Sequence, residues 1–301
     1  MILDYKNCLR PEFTKRVFGK ILDGKSLNPF GPKGIGKKRL LEDLEDIAHQ
    51  AGIRTIRIDM KAHRWNYASF LKQAEVQMRY LSQASGNEVP LLMSGKMDEP
   101  VEKLPAVSAL VQNTNANIDG QLLILLEDFD ALIGTAAHNF PVAFFTDLNA
   151  LKGTRNITLC CVTEKTHKNS LLFFEGGRTQ RTSFLDLEPI DIPPLQMREI
   201  RDLLHRRLTN CEHWQKEAHK ERFVDVISKA ENPMVFIDLI IDDFFYNKDR
   251  FEKRIKRCKK QYKKRYKKNH HNWMKKWTWK SIKAELKDII GIGKSAKELS
   301  K

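Results

Sequence analysis

The 301-residue chain lacks most of what would mark a secreted, membrane-spanning or metal-built protein. Its five cysteines, Cys8, Cys160, Cys161, Cys211 and Cys258, are odd in number and scattered, with no metal-ligand spacing, which argues against a disulfide framework or a zinc site. That usage fits a reducing, cytoplasmic compartment. No apolar run approaches the ~20 residues needed to cross a bilayer, so no membrane span is expected. The opening residues Met1 to Lys6 show no basic stretch followed by an apolar core, and a soluble, unprocessed chain is expected. His-Glu-x-x-His and Gly-x-Ser-x-Gly are both missing, and the nine histidines form no ligand constellation. A nuclease or hydrolase centre therefore cannot be assigned. No internal repeat is visible.

Negative charge is scarce in one place only. From Asp249 to Lys301 there are 20 Lys or Arg against 5 Asp or Glu, whereas the preceding 248 residues carry 33 of each sign. The whole net charge of +15 thus lies in the last 53 residues, a pattern expected for a partner that is an anionic polymer or surface. The body, with 41% hydrophobic residues in the chain overall, can bury a core.

Alternating signals run through that body. Phe13, Val17, Phe18, Ile21 and Leu22 have helical spacing, and Ser26 to Phe30 is a short strand candidate. Lys38 to Ala51 presents Leu40, Leu41, Leu44 and Ile47 on one helical face and closes at Gly52. Arg54 to Met60 reads as a strand, Tyr67 to Leu81 as an amphipathic helix, and 82 to 105, rich in Ser, Gly, Pro and Glu, as an insertion or mobile loop. Leu122 to Leu126 and Ile157 to Val162 are apolar runs suited to strands buried on both faces, and a third is expected around Phe184 to Ile192. The predicted class is α/β: a parallel sheet with helices on both faces. After Pro193-Pro194 the pattern is helical throughout. The predicted organisation is an N-terminal helix (1–24), a core (25–192), a small helical lid (193–248) and a basic helical C-terminal tail (249–301).

Chemistry concentrates at two points of the core. Residues 31 to 37 read Gly-Pro-Lys-Gly-Ile-Gly-Lys between a strand and a helix. Glycines there let successive backbone N–H groups point into one cavity, where they and the helix N-terminus hold phosphate oxygens while a lysine reaches the terminal phosphates. Gly31, Gly34, Gly36 and Lys37 supply these parts. Downstream, the Leu122 to Leu126 strand ends in Glu127-Asp128, two carboxylates placed to hold Mg²⁺ and polarise a water.

These stretches resemble the AAA+ and STAND classes of P-loop NTPases over about residues 11 to 245. Further matches are Asn156 to Thr163, Phe184 to Leu195, Glu199, and Asn232-Pro233. The resemblance implies ATP as ligand, with Lys37 on the β- and γ-phosphates and Glu127 and Asp128 as the acidic pair, Glu127 facing the metal. It implies Thr163 as sensor, Arg178 and Arg181 as the region supplying an arginine finger to a neighbouring subunit, and Pro233 as a lid contact to nucleotide. It also implies self-assembly or a partner enzyme, as in mobile elements and antiviral systems. The chain departs from the pattern at Lys38, where the family places Ser or Thr to ligate Mg²⁺, because an ammonium group cannot coordinate a cation. The acidic pair is also reversed, Glu before Asp. Nucleotide binding with slow or absent hydrolysis is expected.

In the tail, Phe251, Ile255, Cys258 and Tyr262 recur at helical spacing among lysines and arginines, giving an amphipathic basic helix. Arg254, Arg257, Lys260, Lys264 and Lys268 are candidate phosphate contacts, and Tyr262, Tyr266, Trp273, Trp277 and Trp279 are candidates for base stacking. Ile290, Gly291, Gly293 and Ala296 resemble a helix-hairpin-helix element, which implies Gly291, Gly293 and Lys294 against a DNA phosphate. DNA is favoured over RNA. The alternative is a degenerate NTPase-fold adaptor whose tail docks on an acidic protein, RNA or a membrane.

Overall fold

A computed structural model describes residues 3–64, 66–83, 91–115, 120–132, 139–141, 143–152, 154, 156–166, 172–175, 178–181, 185 and 187–276, with the backbone alone described at 113–115, 172–175, 178–181 and 265–276. The chain divides into two compact units, Met1–Leu203 and Leu204–Lys301.

The first unit is built on a five-stranded parallel sheet in the order β2-β3-β4-β1-β7, with β1 at Leu27–Phe30, β2 at Arg54–Asp59, β3 at Leu122–Glu127, β4 at Ile157–Cys161 and β7 at Glu188–Asp191. β3 and β4 are buried along almost their whole length, as continuous apolar runs must be in a sheet covered on both faces. Strand alternation sends Leu122, Ile124 and Leu126 into one core and Leu123 and Leu125 into the other. Against the second core lie α1 (Pro11–Leu22) and α2 (Lys37–Gln50), through Val17, Phe18, Ile21, Leu41 and Leu44. The first core is covered by α4 (Tyr67–Gln83), which follows the single turn of α3 (Met60–His63), and by α5 (Val107–Asn115) and α6 (Phe144–Lys152). Its aromatic rings meet edge to face, Phe70 with Phe144 at 5.5 Å and Phe140 with Phe144 at 5.0 Å.

In the segment expected to be an insertion or mobile loop, 82 to 105, most of the described residues are exposed, and a few pack inward. Met93 is buried, and its N–H donates to the carboxylate of the buried Glu75 at 2.9 Å. Composition missed this because one apolar residue inside a polar stretch carries no periodicity. Among the described residues of the third apolar run, Glu188–Asp191 forms a strand, at the sheet edge and half-exposed, where Pro189 is tolerated. A separate antiparallel pair, β5 (Leu172–Glu175) with β6 (Arg178–Arg181), precedes it.

β1 contains a proline although it lies between two partners. In the register that pairs Leu27 with Cys160, the missing N–H of Pro29 would have pointed at the carbonyl of Cys161. The side-chain amide of Asn28 supplies the donor instead, reaching Cys161 O at 2.7 Å and the Thr163 hydroxyl at 2.9 Å. Replacing Asn28 with alanine should leave that buried carbonyl short of a partner and cost about 1–3 kcal/mol in urea unfolding. An unchanged unfolding midpoint would remove this role.

The second unit is helical: the end of α7 (Met197–Leu208), α8 (Glu212–Gln215), α9 (Lys220–Ser228), α10 (Pro233–Tyr246) and α11 (Phe251–Lys276). Trp214, Phe223 and Phe244 form its centre, with Trp214 and Phe244 at 5.2 Å and Phe223 and Phe251 at 4.7 Å. The first half of α11 is thereby part of this unit's core.

Candidate functional site

The segment from Gly31 to Gly36 leaves β1 and enters α2. Gly34 and Gly36 have φ of 80° and 98°, the left-handed region where glycine is unstrained. Gly31 is closely surrounded instead: a Cβ there would sit 3.2 Å from Ile35 Cγ2 and 3.5 Å from Ile192 Cβ. α2 then begins with Lys37, Lys38 and Arg39, with no capping side chain and no acidic residue in its first turn. Arg39 is paired with Asp43 and Glu42, which leaves Lys37 and Lys38 at the positive end of the helix dipole, where a bound anion would relieve them.

Lys37 Nζ donates to the carbonyl of Gly31 at 2.8 Å, folding the side chain back over its own loop. Burial lowers its pKa, and Glu164, Asp130 and Asp128 oppose the shift. Asp128 has a left-handed φ of 48°, and the chain turns there so that Phe129 N–H reaches Val162 O at 2.9 Å. Asp130 accepts from the Glu164 N–H at 2.9 Å, and burial raises its pKa. Thr163 is fully buried beside the loop: its carbonyl accepts from Gly31 N–H at 3.2 Å, and its hydroxyl, bonded to Asn28, donates to the Lys165 carbonyl.

The acidic pair diverges. Asp128, with Glu164 and Asp130, lies near enough to Lys37 to oppose the lowering of its pKa, while Glu127, on the α2 side of the sheet, pairs with Arg57 of β2 at 2.8 Å. Glu127, expected to face the metal, has its charge matched here by a guanidinium. Lys38, at the family's second metal position, is exposed and offers no oxygen. Among the described residues no group of three or more His, Cys, Asp or Glu is arranged to hold a metal ion. The hydroxyl that the family resemblance implies at position 38 is replaced by an ammonium group, while Asp128, Asp130 and Glu164 lie near Lys37.

No protein-family model matches the chain, and no curated protein matches it by sequence. Solved structures do. The Walker-type ATPase paby2304 of Pyrococcus abyssi superimposes with a TM-score of 0.58 over 89% of this chain and 76% of its own, at 11% identity. The chain has the α/β fold of a P-loop NTPase. The Aeropyrum pernix ORC1 protein, solved in complex with DNA, matches at TM-score 0.47 and 14% identity over 87% of this chain and 66% of its own. AMPPCP-bound DnaA from Aquifex aeolicus matches at 0.45 and 18% identity over 82% and 63%. This chain therefore spans just under two thirds of the length of those last two.

One residue of the NTPase fold carried no sequence signal. Arg10, before α1, is 2% exposed and donates from Nη2 to Ile35 O at 2.6 Å and from Nε to Pro193 O at 3.0 Å. It fastens the phosphate loop to the segment after β7. A lone arginine before a proline has no pattern by which to find it. Arg10→Met, which keeps the apolar stem, should cost about 2–3 kcal/mol of stability and weaken nucleotide binding, and Arg10→Lys should not rescue it, because an ammonium cannot serve both carbonyls as a fork. Wild-type affinity in the methionine variant would refute the link to the loop.

The remaining candidates separate. Arg178 and Arg181 lie in β6, opposite Glu175 and Leu172, with their side chains outside the described residues. Pro233 is buried at the first turn of α10, and the N–H of Asn232 before it donates to the Tyr262 hydroxyl at 3.0 Å. Tyr262 also packs edge to face on Phe236 at 5.4 Å, so it docks α11 rather than offering a free stacking face.

Arg254 and Arg257 turn inward, which corrects their assignment as phosphate contacts. Arg254 is 2% exposed and donates to Asp243 O at 2.9 Å, Asp243 Oδ2 at 3.0 Å, Asn247 O at 2.7 Å and Asp249 O at 2.6 Å. Arg257 binds Asp243 Oδ1 at 2.5 Å and Asp249 Oδ2 at 2.7 Å. The exposed cations of α11 are Lys253, Lys256, Lys259, Lys260, Lys263 and Lys264, on the side away from Phe251, Ile255 and Cys258. The side chains of Lys268, Tyr266 and Trp273 lie outside the described residues, as do Trp277, Trp279, Gly291, Gly293 and Lys294 entirely. Among the described residues no helix is long and apolar enough to cross a membrane.

Proposed function

We propose that the protein binds ATP at the Gly31 to Lys37 loop and acts as an AAA+ or STAND-like regulatory subunit with slow or no hydrolysis. The observation that carries this reading is the loop itself: two left-handed glycines, a third where a side chain would be crowded, and a half-buried lysine folded over them at the uncapped start of α2. Weak hydrolysis is supported by Glu127 being paired with Arg57 while Lys38 replaces a hydroxyl. Titration calorimetry with ATP should show binding, and phosphate release should stay near background. Turnover at rates ordinary for an enzyme would overturn the regulatory reading, and absence of any binding would overturn the site.

DNA is the partner we propose for the lysine face of α11, with assembly on itself or a partner enzyme, as in mobile-element or antiviral systems. Support comes from six exposed lysines on one side of a helix whose other side is docked. The double variant Lys260→Glu, Lys264→Glu should bind duplex DNA more weakly, with a log affinity against log salt slope shallower by about two. Its stability should change little, since both side chains are exposed. An unaltered salt slope would shift the reading to the adaptor, with the tail on an acidic protein, RNA or membrane.

A further inference from the structure

The two edges of the five-stranded sheet are closed in different ways. At β7 the N–H groups of Glu188 and Ile192 donate to Ser26 O and Phe30 O, so Pro189 turns outward and gives that edge no N–H to offer. β2, the opposite edge, has neither proline nor lysine within Arg54–Asp59. Arg54 N–H donates to Gln121 O at 3.1 Å, which sets the backbone of Arg54, Ile56 and Ile58 toward β3 and leaves that of Thr55, Arg57 and Asp59 facing out.

Arg57 is the middle one of these, and a single side chain takes both its backbone groups. Its N–H donates to Gln77 Oε1 at 2.8 Å, and its carbonyl accepts from Gln77 Nε2 at 2.6 Å. A side-chain amide carries the same donor and acceptor as a peptide, so Gln77 of α4 makes the two bonds that a neighbouring strand would make there. Charge does not guard this edge. The Arg57 guanidinium turns to the α2 side, where it meets Glu127 at 2.8 Å, Glu45 at 3.5 Å and Glu42 at 3.9 Å, Glu42 being shared with Arg39. On α4, Val76 and Tyr80 flank Gln77 and are 49% and 74% exposed.

We propose that Gln77 prevents two copies of this chain from joining their sheets through β2. Paired antiparallel about a two-fold axis at Arg57, two β2 strands would exchange N–H···O bonds between the two Arg57 residues, the same groups that Gln77 occupies. The contact is self-complementary: each guanidinium is already matched by its own glutamates, and Val76 and Tyr80 of both copies supply apolar surface beside the seam. Gln77 is an internal stand-in for the second copy, and any assembly of the wild-type chain uses other surfaces. The proposal is independent of the nucleotide reading.

Light scattering on the full chain, wild type and Gln77→Ala, over a range of concentrations tests it, with hydrogen exchange of the Arg57 amide as a second readout. The variant should rise with concentration toward twice the wild-type mass. Alanine suits a helix and both freed groups reach water, so α4 should stay folded, which a thermal melt checks. In the wild type the Arg57 amide should be protected at every concentration. In dilute Gln77→Ala it should exchange about tenfold faster, and slow again as the mass rises. Gln77→Glu, which accepts from the Arg57 N–H but opposes its carbonyl and sets like charges across the axis, should keep the wild-type mass. Equal masses for Gln77→Ala and wild type would overturn the proposal, as would association that leaves the Arg57 amide fast. A fast Arg57 amide in the wild type would overturn it whatever the variants do.

Discussion

Lys37→Ala should weaken ATP binding by about a hundredfold, some 3 kcal/mol, without unfolding the first unit. In the free protein Lys37 is held on the Gly31 carbonyl, and burial lowers its pKa against the pull of Glu164, Asp130 and Asp128. When phosphates arrive the ammonium exchanges one carbonyl for charged oxygens, an interaction that alanine cannot offer. Calorimetry reads this directly, and binding within a few-fold of wild type would mean that the loop does not hold the triphosphate. The same variant has a signature in pH. Asp130 already has a raised pKa through burial, and Lys37 is the nearby cation that lowers it. Removing Lys37 raises it further. A carboxyl whose folded pKa lies above its unfolded one favours the native state in acid, and that contribution is lost as pH rises between the two values. The variant should therefore lose more stability than wild type on going from acid to neutral pH, which urea midpoints at the two pH values will show. Equal pH dependence would separate Lys37 from the Asp130 carboxylate.

Arg254→Ala should destabilise the second unit by about 3–5 kcal/mol, the range for breaking a buried ion pair. Asp243 is 5% exposed, and Arg254 supplies it with one of two guanidinium partners while also bonding the carbonyls of Asp243, Asn247 and Asp249 that close α10. Its guanidinium lies 4.2 Å over the Phe244 ring, so the loss reaches the aromatic centre as well. Thermal melting measures the effect. A variant that melts like wild type but loses affinity for DNA would restore Arg254 to the nucleic-acid face. By the same logic, truncation at 249 is a poor test of DNA binding, because it strips Phe251, Ile255 and Cys258 from the core they help to form. Substitution of exposed lysines leaves that core in place.

The strands and helices of the first unit were legible because burial on two faces imposes its period on sequence. Leu122 to Leu126 can hardly be anything but an inner strand, and Leu40, Leu41, Leu44 and Ile47 mark one face of α2. The phosphate loop was legible for a related reason: positive φ demands glycine, and three glycines before a lysine leave few other readings. Segments lacking such a period were less legible. Met93 has no repeating neighbours, and β7 sits half-exposed at an edge, where a strand needs little apolar content.

Side-chain pairing was not legible at all. Arg57 and Glu127 are 70 residues apart, and Arg10 and Pro193 are 183 apart, so no local spacing announces either contact. In α11 the sequence set a basic amphipathic helix but gave arginine and lysine the same sign. Only docking on α10 divided them, drawing Arg254 and Arg257 onto Asp243 and leaving the lysines outside. Local chemistry alone thus determined the α/β class, the Gly31 to Lys37 loop and the Lys38 departure, because backbone freedom and burial period are written residue by residue. Tertiary structure decided which carboxylates lie near Lys37 and which cations stay exposed, because a charge takes its role from the partner that folding brings within reach.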